Sequence, residues 1–87
     1  MRLTDIAKMI PAEYREMILS GNAIFKAIAV PSDPHMLMLF TVWTTFVDPR
    51  AELDVDCTKC LGEILTNFKQ IQDALLDLHK ADQLLEL

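Results

Sequence analysis

Glycine is scarce in this chain of 87 residues, which contains only Gly21 and Gly62. Two isolated glycines cannot form a glycine-rich loop for phosphate groups, and no serine or cysteine stands in a recognised nucleophile motif. Asp54 and Asp56 lie close together, but the glycine and the further oxygen ligands of a calcium loop are missing. Because no catalytic signature is present, we expect a protein that is not an enzyme.

Long uncharged runs are also absent. The longest one, residues 34–47, would span roughly 21 Å as a helix, which is short of the ~30 Å hydrocarbon core of a bilayer. The sequence therefore predicts no membrane span. The chain has only two cysteines, too few for the disulfide framework of a small secreted domain, so we expect a reducing compartment.

Positive charge is in deficit, because 8 basic residues face 13 acidic ones and the net charge is -5. The acidic excess falls entirely within residues 51–87, since the acids and bases of residues 1–50 cancel. Nucleic acids and anionic membrane surfaces attract basic proteins, so neither is an expected partner.

Hydrophobic residues make up 52% of the chain, and helix-breaking residues divide its first half into short segments. A first helix should end near Ile10, and Pro11 suits the first turn of a second one. Gly21 is a plausible end for the second helix, with Asn22 capping a third over residues 23–30. The side chains of the third helix expected to point inward are Ile24, Phe25 and Ile28.

Residues 34–47 are apolar almost throughout and predict a central, buried helix. Ser32 or Asp33 can cap it and Pro34 suits its first turn, while Pro49 should stop it. A strand is the alternative, because several residues are β-branched. We prefer the helix because the run is longer than a typical strand.

Residues 57–87 carry the strongest pattern, which predicts one long amphipathic helix. Apolar side chains recur at alternating intervals of four and three residues: Cys57, Leu61, Ile64, Phe68, Ile71, Leu75 and Leu78. This heptad rhythm is typical of helices that pack on other helices, and it falters at Asp82. The helix would be roughly 45 Å long, so its end is expected to project or to pair with another chain.

Cys57 and Cys60 form a CxxC motif at the start of this helix, and one interpretation is zinc binding. A structural zinc ion needs four ligands. His79 lies far along the same helix and His35 at the wrong end of its own helix, so neither can complete the site. Two chains could still pool four cysteines across a dimer axis, with zinc as the cofactor.

Two other interpretations of the motif remain open. A helix N-terminus favours the thiolate and hence redox chemistry, but the charges of Asp54 and Asp56 oppose it and no βαβ pattern surrounds the motif. Alternatively, Cys57 faces the core as a small hydrophobic residue and Cys60 lies near the edge of the stripe.

The segment from Trp43 to Pro49 (WTTFVDP), followed by Cys57-Thr58-Lys59-Cys60 at a helix start, resembles small uncharacterised proteins of tailed bacteriophages. The resemblance covers about a third of the chain. It implies a phage or mobile-element origin, a structural or host-interaction role and a cytoplasmic or virion-associated location. It transfers no functional residues.

The sequence therefore predicts a single all-α domain over residues 1–87, a small bundle of four to five helices. Its expected function is a non-enzymatic interaction or assembly role, either through self-association or by docking on a protein partner. The alternative is a metal-binding module with zinc shared between chains by Cys57 and Cys60. The interaction residues expected on the long helix are Leu61, Ile64, Phe68, Ile71, Leu75 and Leu78.

Overall fold

The computed structural model describes residues 2–49 and 56–85. Five α-helices occupy these ranges: α1 (Leu3–Lys8), α2 (Ala12–Ser20), α3 (Ala23–Lys26), α4 (Pro34–Val42) and α5 (Thr58–Leu85). All regular secondary structure in the described ranges is helical, which confirms the predicted fold class. None of these helices is both long enough and apolar enough to cross a bilayer.

Helix α4 begins where the sequence predicts. The Asp33 carboxylate caps it by accepting a hydrogen bond from the Met36 N–H at 2.8 Å, and Pro34 occupies the first turn. The chain then continues through Trp43–Val47 as a wider π-helical turn, in which the Asp48 N–H donates to the Trp43 carbonyl at 2.9 Å. Residues 34–47 are therefore helical throughout, and the strand alternative is wrong.

Helix α3 is much shorter than predicted, because it covers four residues rather than residues 23–30. Ala27 already has an extended backbone, with φ -64° and ψ 140°. One residue later, the Ile28 N–H donates to the Asp33 carboxylate at 3.1 Å instead of to a helical carbonyl. The carboxylate that caps α4 thus also accepts a hydrogen bond from the backbone after α3, which is no longer helical there.

This early end changes the positions of three side chains that were expected to point inward. Ile24 is buried as predicted, with 3% of its surface exposed. Phe25 and Ile28 are 80% and 61% exposed, so the inward prediction is wrong for both. A single helical turn has only one inward side, and Ile24 occupies it.

Helix α5 is the central element. Its 28 residues run along the longest dimension of the molecule, which measures 42 × 25 × 18 Å, and it contacts each of the other four helices. Five of its apolar side chains are at most 1% exposed and form what we call the α5 stripe: Leu61, Ile64, Phe68, Ile71 and Leu75. These five positions belong to the heptad pattern, and the prediction of one long amphipathic helix is confirmed.

The other helices supply the opposite side of the core. Ile10, Ile18, Met36 and Leu39 are almost completely buried and belong to the same cluster as the α5 stripe. Trp43 meets Phe68 edge to face, with ring centroids 5.5 Å apart and an interplanar angle of 65°. The π-helical turn therefore places the indole directly against the middle of α5.

Candidate functional site

The CxxC motif lies at the N-terminus of α5, where Cys57 and Cys60 are joined by a disulfide. Their Cα atoms are 5.2 Å apart, inside the usual range for a bridged pair. The Cys60 N–H donates to the Cys57 sulfur at 3.2 Å, and the Leu61 N–H donates to the Cys57 carbonyl at 3.0 Å. Cys57 therefore occupies the capping position of α5.

Both cysteines are half-buried and neither belongs to the core cluster. The interpretation of Cys57 as a small core residue is therefore wrong. Cys57 lies at the end of the helix, whereas Leu61, one turn later, is fully buried.

Among the described residues, the zinc interpretation gains no further ligand. Zinc binds cysteine as thiolate, which a disulfide does not offer. Within residues 2–49 and 56–85, no three His, Cys, Asp or Glu side chains are grouped closely enough to hold a metal ion. A zinc site shared between two reduced chains stays a prediction.

The disulfide also bears on the expected compartment. Stable disulfides belong to oxidising surroundings, and those found in reducing compartments are usually transient and take part in catalysis or redox sensing. The pairing of Cys57 with Cys60 therefore runs against the reducing compartment predicted from the cysteine count, unless the bond is one that forms and breaks. The cytoplasmic or virion-associated location stays a prediction.

The residues predicted for interaction are mostly covered by the chain itself. The whole α5 stripe is buried within the monomer, and Leu78 at its end is half-buried. These side chains hold the fold together and leave little apolar surface for a second chain. An assembly role, which stays a prediction, has to use other residues.

A different apolar region is exposed, between the end of α3 and the turn before α4. Phe25 is 80% exposed, Ile28 61% and Val30 37%; we call this the apolar segment 25–30. Its backbone is held by hydrogen bonds from the Val30 N–H to the Ile28 carbonyl at 2.7 Å and from the Asp33 N–H to the Val30 carbonyl at 3.2 Å. The apolar pattern of residues 23–30 predicts a longer helix, so it does not indicate that this region is exposed.

Arg15 is the one buried charged residue of the described chain, at 8% exposed. Its guanidinium donates to the Ile10 carbonyl and to the Asp82 carboxylate, both at 2.8 Å, while its Nε has no hydrogen-bond partner among the described residues. This ion pair joins α2 to α5 near the C-terminal end of α5. A projecting or paired tip beyond it stays a prediction. Asp82, where the heptad rhythm falters, was the sequence signal that pointed to it.

A surface cleft of about 230 Å³ lies beside this ion pair, between α2 and α5. Its lining includes Glu13, Glu16, His79 and Asp82. The three carboxylates disfavour anionic ligands, and the group does not have the arrangement of a metal site. We assign no ligand to this cleft.

The chain matches no protein-family model, and searches of the curated proteins and of the solved structures find no match to it. The resemblance of Trp43–Pro49 and the CxxC motif to tailed-phage proteins therefore stays a prediction.

Proposed function

We propose that this protein is a non-enzymatic helical interaction protein whose contact surface includes the apolar segment 25–30. The observation that carries the proposal is the exposure of Phe25, at 80%. Full burial of such a side chain contributes about 1.5–3 kcal/mol. In a domain whose α5 stripe is almost completely covered, a phenylalanine left in water represents binding energy that a partner can recover.

The backbone around the apolar segment supports the same role. The Asp33 carboxylate accepts hydrogen bonds from the Ile28 and Met36 N–H groups, at 3.1 and 2.8 Å. The segment is thus fastened to the first turn of α4. A surface that is already ordered loses less conformational entropy on binding than a flexible loop.

A second copy of the chain is the first partner to test, and a different protein is the second. In either case the setting we propose is that of a phage-encoded structural or host-interaction factor. The support for this setting is the resemblance of the Trp43–Pro49 and CxxC segments, and it does not affect the choice of contact surface.

The test is sedimentation velocity over a range of protein concentrations. We expect the wild-type chain to self-associate and the double variant Phe25→Ser, Ile28→Ser to remain monomeric at the same concentrations. Leu84→Ser is the matched control, because Leu84 is also strongly exposed, at 71%, but lies at the far end of α5. Circular dichroism should show the wild-type chain and both variants equally helical.

Two outcomes would contradict the proposal in this form. One is a wild-type chain that stays monomeric at every concentration and behaves as the double variant does. The other is an association that persists in the double variant and disappears in the Leu84→Ser control, which would move the contact surface to α5.

A further inference from the structure

The disulfide at the start of α5 joins two residues of one helical turn and no two elements of the fold. Cys57 and Cys60 are three positions apart, and both belong to the same helix end. A disulfide stabilises a protein chiefly by closing a long loop in the unfolded chain, and a loop this short removes little chain entropy. As a structural staple this bond does little, so its place in the molecule calls for another explanation.

We propose that Cys57 and Cys60 form a thiol–disulfide exchange site that cycles between a disulfide and a dithiol. The ligand class is a thiol or disulfide carried by another molecule, either small or a protein. Cys57 is the sulfur that attacks or is attacked, and Cys60 is the resolving sulfur. This assignment does not depend on the contact surface proposed above.

The geometry distinguishes the two sulfurs. The Cys57 sulfur lies at the cap position and accepts the Cys60 N–H at 3.2 Å. Cys60 lies inside the first turn, where its own N–H is already used by Cys57. When the bond is reduced, a thiolate at position 57 keeps this N–H donor and lies at the positive end of a 28-residue helix, an arrangement that stabilises negative charge on sulfur.

The neighbouring charges are mixed and do not by themselves favour a thiolate. Asp56, which precedes Cys57, carries a negative charge, and Lys59, between the two cysteines, carries a positive one; both residues are exposed. Asp54 also precedes the motif in the sequence, so acidic charge opposes the thiolate. The preference for Cys57 therefore rests on the Cys60 N–H and on the helix end.

The exchange reaction balances with one disulfide as co-reactant. The Cys57 thiolate attacks a disulfide R–S–S–R′, which forms a Cys57–S–S–R mixed disulfide and releases R′S⁻. Cys60 loses its proton to solvent, and its thiolate attacks the Cys57 sulfur, forming the Cys57–Cys60 bond and releasing RS⁻. The two electrons lost by the dithiol reduce the co-reactant, whose two thiolates take up two protons.

The test uses the full chain after reduction with dithiothreitol and its removal. The single variants Cys57→Ser and Cys60→Ser are mixed with oxidised glutathione, and mixed-disulfide formation is followed by intact mass. We expect Cys60→Ser, which keeps Cys57, to react about three- to tenfold faster than Cys57→Ser. The reduced wild-type chain should instead close its own disulfide and release two molecules of reduced glutathione per chain.

A second measurement requires no substitution, in case a variant fails to fold. Reduced wild-type chain is treated with less than one equivalent of iodoacetamide, and the labelled cysteine is identified by peptide mass. Label mainly on Cys57 supports the proposal. Equal labelling of both cysteines, at the rate shown by the same chain unfolded in urea, overturns it.

Two further results bear on the same site. The exchange is repeated with a disulfide-bonded peptide, and the ratio of its rate to the rate with oxidised glutathione shows which source of disulfide the site prefers. With either reagent, a faster exchange by the folded chain than by the urea-unfolded chain supports the proposal. Half an equivalent of zinc bound per reduced chain, with exchange blocked, overturns it in favour of a metal site shared between two chains.

Discussion

Two regions of this molecule both contain large apolar side chains, but one region is buried in the structure and the other is exposed. The α5 stripe is at most 1% exposed, while Phe25 and Ile28 in the apolar segment 25–30 are 80% and 61% exposed. The stripe repeats its apolar positions along one face of a long helix, so a single packing direction buries all of them. The apolar segment begins in a helix of one turn and continues as irregular backbone, so it has no such face. In these two regions, the periodic placement of the apolar side chains decides which of them are buried.

Replacing one phenylalanine from each region should give the largest contrast. Phe68 is fully buried and packs against Trp43. Phe68→Ala should lower the free energy of unfolding by about 3–5 kcal/mol, which is enough to unfold a domain of this size. Phe25→Ala, measured at a concentration low enough for the chain to be monomeric, is the matched control and should change it by no more than about 0.5 kcal/mol. Urea denaturation followed by circular dichroism measures both.

A comparable loss of stability in the two variants would break the comparison. It would mean that Phe25 is covered in solution, by a second copy of the chain or by a rearranged α3. Dilution distinguishes these cases, because only an association makes the midpoint depend on protein concentration.

The same two regions also differ in how well the sequence predicts their structure. The α5 stripe and the start of α4 were predictable because a repeated pattern and a local cap each need only nearby residues. The end of α3 was not, because it depends on a hydrogen bond from Ile28 to Asp33, which the pattern of residues 23–30 does not show. Helix α3 is also too short to have a period that could be recognised.

The candidate site was half predictable. The CxxC spacing and its place at a helix start could be read from the sequence, but three interpretations share that spacing, and only the structure pairs the sulfurs. The Arg15–Asp82 ion pair joins residues 67 positions apart. A sequence can show that Asp82 interrupts the heptad rhythm, but it cannot show which distant cationic side chain forms an ion pair with Asp82.

The Arg15–Asp82 ion pair, near the C-terminal end of α5, provides the next prediction. Asp82→Ala leaves the buried Arg15 guanidinium without its carboxylate, and the free energy of unfolding should fall by about 2 kcal/mol, the typical value for a hydrogen bond to a charged group. The measurement is again urea denaturation. The double variant Arg15→Met, Asp82→Leu should recover only part of the loss, because it removes both charges from the interface but leaves the Ile10 carbonyl without its donor.

An equal loss in the single and double variants would show that the packing of the Arg15 side chain matters rather than its charge. In that case α2 and the end of α5 would be joined by apolar contact, as the stripe is, and the ion pair would be incidental.

Asp33→Ala tests what holds the apolar segment in place. The substitution removes the acceptor for the Met36 and Ile28 N–H groups, and loss of a helix cap typically costs about 1 kcal/mol. Hydrogen exchange should increase at Ile28 and Val30 and stay unchanged along the α5 stripe. Asp33→Asn, which keeps an acceptor, is the control and should lose less. Faster exchange along α5 as well would show that the two regions unfold together.

Gly62 allows the smallest test, on the outward face of the same helix that carries the stripe. A Cβ added there meets no atom within 4 Å, so Gly62→Ala should raise the free energy of unfolding by about 0.8–1.0 kcal/mol through helix propensity alone. Gly21→Ala is the control, because its added Cβ would lie 3.2 Å from the Met17 carbonyl oxygen and should gain less. If Gly62→Ala instead weakens self-association without loss of stability, the outer face of α5 is in close contact with a partner. The contact surface would then extend beyond the apolar segment to the start of the helix that holds the stripe.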